Sequence, residues 1–277
     1  MSNGFKAEGG VDLTHAKIDG ILDCIAGEFL FSGETPALDA TSATVKGKVL
    51  LRNSKAAGEV CFLRAKIDGV LECNGGQFNT NGETPALDLI GAEVKRGVYL
   101  RDGFKAKGGV NLQMAKIAEN LDCTAGQFIG SNKTPALYAN GATVTDNIGL
   151  NDGFRAEGEV NLVAAKIGGN LECGRGQLVV TGEGPAFDAN SIEVKGHVHM
   201  LNGFKAEGGV SLIAAKIGRD LDCRGGQFIG TSLKLQLLTQ ARQKSEEIWN
   251  ARVASLWGMT LHSPLTLTVL RLRVASF

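Results

Sequence analysis

The sequence predicts an all-β chain wound as a right-handed parallel β-helix, a solenoid of about nine coils of about 25 residues, with a helical C-terminal tail. Three observations predict it. The phrase AKIDGVLECNGGQF at 65–78 returns with small changes at 16–29, 115–128, 165–178 and 215–228. A second phrase, PALDATSATVKGKVLLRN at 36–53, shares the same apolar frame and interleaves with the first, which halves the period of about 50. Within each unit the apolar residues fall in pairs two apart, the spacing that puts both side chains on one face of a short strand.

The units are phased by Val11, Leu38, Val60, Leu87, Val110, Leu137, Val160, Phe187 and Val210. In the first unit the inward pairs are Val11 with Leu13, Ala16 with Ile18, and Leu22 with Cys24. Between pairs lie corner residues such as Asp19-Gly20, Lys46-Gly47 and Gly168-Gly169, types that tolerate the positive φ a sharp corner often needs. Every second coil carries a longer corner, SGETP or NGETP. No i, i+3, i+4, i+7 stripe survives across the glycines, so helix is excluded from this region. Stacked at about 4.8 Å per coil, the units make a rod of about 40 Å, three-sided or four-sided.

The repeat occupies residues 1–230 and stops near Gly230. The opening, Asn3 to Gly10, copies Asn202 to Gly209, so the chain reads as a piece of a longer solenoid, or as one whose first coil meets a partner. The remainder, 231–277, has helical character, with a rough apolar stripe through Leu238, Ala241, Ile248, Val253 and Leu256. It carries six basic and two acidic side chains and both tryptophans. It reads as a cap on the last coil, or as a basic segment meeting a membrane surface or a partner through Arg242, Lys244, Trp249, Arg252 and Trp257.

Charge narrows the function classes. The chain holds 29 basic and 29 acidic residues, which removes the simplest case for a nucleic-acid binder. No signal peptide opens it and no run of 18 apolar residues interrupts it, so a cytoplasmic location, membrane-peripheral at most, is expected. Asn132-Lys133-Thr134 matches a glycosylation sequon that such a location leaves unused.

Cys24, Cys73, Cys123, Cys173 and Cys223 occupy one slot that holds Leu51, Leu100, Leu150 and then Met200 or Leu201 in the intervening coils. About two coil steps separate successive cysteines, too far for a disulfide or a shared zinc ion. A thiol alternating with leucine is a small hydrophobe, a structural ladder. Cys61, between Val60 and Phe62, is expected to point outward and to react readily.

Two outward rows follow. One runs Lys17, Thr44, Lys66, Glu93, Lys116, Thr143, Lys166, Glu193, Lys216, with opposite charges adjoining at Lys66–Glu93–Lys116 and Lys166–Glu193–Lys216. The other holds Asp23, Glu72, Asp122, Glu172 and Asp222, interleaved with Leu50, Tyr99, Gly149 and His199. Paired carboxylates at such spacing suit glycoside cleavage, but regular repetition argues against one tuned pair, and exposed aromatics for a sugar platform are few, Tyr99 and Tyr138. His197 and His199 share a face without an evident third metal ligand.

The phrases AKIGG-LDC-GG-F and GFKAEG-V resemble those of uncharacterised bacterial β-solenoid repeat proteins, distant cousins of pentapeptide-repeat proteins, over about residues 3–230. The resemblance implies the fold. Some of those proteins are labelled membrane-associated oxidoreductases, but no Gly-rich strand-to-helix dinucleotide fingerprint occurs here. The expected role is therefore a non-enzymatic scaffold or protein-interaction module, with no catalytic residues, cofactor or metal. Its partner is a protein, or another copy through the solenoid ends. A carbohydrate-binding or carbohydrate-cleaving β-helix using the acidic row, and a membrane-peripheral protein attached through its tail, are the alternatives.

Overall fold

A computed structural model describes residues 4–31, 33, 35–180 and 184–229, together with the strands Leu233–Lys234, Leu265–Thr266 and Arg271–Leu272. The chain is a parallel β-solenoid with four sheets, which settles the cross-section as four-sided. Each turn lays down four strands of mostly two or three residues, in the order of the first turn: Val11–Asp12, Lys17–Ile18, Leu22–Asp23 and Glu28–Phe29. We call these the first to fourth faces. Nine turns are complete, with Lys6–Ala7 before them and Leu233–Lys234 after. No helix occurs among the described residues.

The register follows the period. Val11 pairs with Leu38, Leu38 with Val60, and the column runs through Phe187 to Val210. In each short strand one side chain enters the core and its neighbour faces out, as period two requires. The cysteine slot is filled as read: all five ladder cysteines are buried and free, and Met200, not Leu201, takes the slot in its coil. The fourth face explains the alternation. Coils with cysteine present Gly76 and Phe78, and their neighbours present Phe104 and Ala106, so rings from the two registers interleave. Phe78, Phe104, Phe128 and Phe154 stack edge to face, with centroids 5.3, 5.8 and 5.1 Å apart.

The corners depart from the sequence reading. The expected positive φ is absent at Gly20, Gly47, Gly168 and Gly169 between the second and third faces. It falls instead at the corners between first and second faces and between third and fourth, on residues such as His15, Ala26, Arg64 and Ala164. There a tight turn closes with an amide three residues on, as Ala16 N to Leu13 O at 2.9 Å. The glycines of the second corner serve close approach: a Cβ on Gly168 would lie 2.0 Å from Thr145 O of the coil before.

The predicted helical tail lies outside the described residues, except for six that are strand. Leu265–Thr266 and Arg271–Leu272 pair antiparallel with the last coil on the fourth and third faces.

Candidate functional site

Most outward side chains are engaged with the solenoid itself. On the third face the acidic row is in the predicted register, Asp23 beside Leu50 and Glu172 beside His199. Asp23, Asp122 and Asp222 each accept the amide two residues on, at 3.0, 3.0 and 3.1 Å, capping the corner that follows. Asp122 also takes Arg101 at 2.9 Å, and Asp222 holds Arg224, whose hydrogen bond keeps the Asp222 carboxyl below its usual range. Glu72 lies 3.6 Å from Arg52. Glu172 Oε2 meets His199 Nδ1 at 2.7 Å. The two histidines share a face as predicted: their rings stack at 5.2 Å, and His197 Nδ1 accepts the Asp220 amide at 3.3 Å.

The second-face row is in register too, but its ion pairs are one-sided. Glu93 meets Lys116 at 2.9 Å and Glu193 meets Lys216 at 2.6 Å, while Lys66 and Lys166 act on the glutamates only through the longer-range field. At the following corner Asn147 N is received by Asn120 Oδ1 at 3.1 Å, Asn170 N by Asn147 Oδ1 at 2.7 Å, and His197 N by Asn170 Oδ1 at 2.8 Å. This amide ladder ties coil to coil.

One place breaks this pattern. On the first face the outward column runs Asp12, Asp39, Cys61, Asp88, Asn111. Cys61 does occupy an outward position, but it is not the exposed, reactive thiol expected from the sequence. It is 6% exposed, and burial raises its pKa, so the neutral, unreactive thiol is favoured. The ligand atoms of Glu59, Cys61 and Asp88 lie within 4.8 Å of one another, and these residues form the single such potential metal-binding group among the described residues.

The electrostatics of this group are strained. Burial first, then the nearby Asp88 and Asp39, push the Glu59 carboxyl up to about 7, against a hydrogen bond from Thr84. Burial raises Asp88 as well, opposed by the Ile90 amide, which reaches Oδ1 at 2.9 Å. The Cys61 thiol lies 3.4 Å from Thr41 Oγ1.

Beside the group opens a groove of about 600 Å³, lined by Gly33, Thr35, Gly58, Glu59, Asn81 and Thr84 among others. The short corner at 57–59 lies between Gly33 and Thr35 on one side and the longer corner at 80–84 on the other. The wall at 80–84 is braced by Thr80 Oγ1 donating to Thr84 O at 2.7 Å, by Ser131 Oγ donating to Gly82 O at 2.7 Å, and by the Lys133–Glu83 ion pair.

The sequence reading singled out Cys61 and missed Glu59 and Asp88. The available signal was a cysteine where adjoining coils have Asp39 and Asp88, two residues after a glutamate that recurs in its kind of coil only at Glu159. Arg242, Lys244, Trp249, Arg252 and Trp257 lie outside the described residues. No described helix is long and apolar enough to cross a membrane. Comparison with protein-family models, curated proteins and solved structures finds no match to this chain.

Proposed function

We propose that the chain is a non-enzymatic scaffold, a rod that presents side-chain columns to a protein partner. One observation carries this: across the turns of the third face, every member of the acidic row is bound to a corner amide, an arginine or a histidine. Carboxylates held in this way are poorly suited to act as a matched general acid and base. Self-association through the solenoid ends belongs to the same reading. So does a tail that closes the last coil, supported by the two antiparallel tail strands.

Exchange of Lys66, Lys116 and Lys166 for glutamate reverses the charge of the second-face row without touching the core. A partner cross-linked to the wild-type chain should be lost from this variant. Turnover of a polysaccharide by the wild-type chain, abolished by Asp122→Asn, would overturn the proposal. Asparagine retains the cap on Thr124, so that variant should fold.

A further inference from the structure

We propose that Glu59, Cys61 and Asp88 form a binding site for a divalent transition-metal ion of the zinc class, its remaining coordination position open to the adjoining groove. The donors come from consecutive coils and converge within 4.8 Å. A tetrahedral zinc ion with bonds of about 2.0–2.3 Å needs ligand separations of roughly 3.3–3.8 Å. Binding therefore requires the donors to draw in by about 1 Å, and Glu59 is the one member of the group that is only partly buried.

Two further features point to a cation. Asp88 is 8% exposed and accepts the Ile90 amide through Oδ1, which fixes its carboxyl group beside Cys61 and Glu59. Cys61, equally buried, places sulfur between two carboxyl groups where a repeat built for self-sufficiency uses a capping aspartate or asparagine. The thiolate selects the ion class: magnesium and calcium take oxygen ligands, whereas zinc accepts sulfur with carboxylate.

The chain contains its own control. Four turns on, Glu159, Asn161 and Asp188 occupy the same slots. There Asn161 Nδ2 donates to Glu159 Oε1 at 2.9 Å, and Asn161 Oδ1 caps the Val163 amide at 3.1 Å. Asn161 stands where the candidate site has Cys61, and Tyr138 stands in the coil before where it has Asp39; the first exchange closes the site with hydrogen bonds in place of a thiol ligand.

The test uses the full chain after removal of metal by a chelator. Cobalt(II) should produce a thiolate-to-cobalt absorption band, and equilibrium dialysis should retain one zinc ion per chain against excess magnesium. Cys61→Asn, which copies the coil at 161, should lose both signals while its thermal unfolding matches the metal-free wild type. Asn161→Cys should raise the stoichiometry to two. If Cys61→Asn fails to fold, Asp88→Asn, which keeps the Ile90 cap, should weaken zinc at least tenfold. Absence of the band in the wild type overturns the proposal. So does zinc that survives Cys61→Asn but is lost in His199→Gln, which would place the ion on the third face.

Discussion

Each ladder thiol is a core atom with a titration curve. Burial raises all five, Cys24 to about 11 and Cys223 to about 12, from an ordinary value of 9.0. Below pH 9 folded and unfolded chains both hold these protons, and the thiols leave stability unchanged. Above it the unfolded chain releases them while the folded chain retains them, so stability falls as pH rises toward the folded values, by up to about 1.4 kcal/mol per pH unit for each thiol. Urea unfolding between pH 8 and 10.5 should show a falling midpoint, and Cys123→Val should reduce the slope. An unchanged slope in that variant would count against burial of Cys123. The contrast with Cys61 is one of position: the ladder thiols meet leucine and phenylalanine, and Cys61 meets two acids. Its place between Val60 and Phe62, themselves two apart and inward, reveals that Cys61 points out, but not that it is buried there.

At the scale of the corner, two kinds of turn differ in cause. At Gly168 the backbone of the previous coil passes where a side chain would sit, so Gly168→Ala should destabilise by about 1–3 kcal/mol. At Ala164 the strain is conformational, φ +55°, so Ala164→Gly should fall within about 1 kcal/mol of wild type, the relief of the left-handed penalty offsetting the greater freedom of the unfolded chain. Denaturant midpoints of the two variants check this, and equal losses would refute the distinction. Sequence spacing located both corners. It misassigned the positive φ, because a turn type depends on where the next coil's backbone lies as well as on residue preference.

Across the whole rod, every coil is held by the one before and the one after, so stability should spread like a one-dimensional chain. The first turn is weakest on this count: Val11, Leu13 and Ile18 are only partly buried, whereas Phe104, Phe128 and Phe154 are fully enclosed. Phe128→Ala should cost about 3–5 kcal/mol and raise amide hydrogen exchange in the coils on either side before it reaches the ends. Uniform loss of protection along the rod would show instead that the turns unfold as one unit.

Periodicity alone determined which side chains enter the core, how successive coils align and which outward residues share a column, because alternation along a strand and a fixed repeat leave one register that buries every apolar pair. The four-sided section, the true seat of the left-handed residues and the meeting of Glu59, Cys61 and Asp88 were decided only by the tertiary structure. Those depend on corner lengths and on distances between atoms a full turn apart, and the desolvation that raises an acid or a thiol is summed over neighbours remote along the chain.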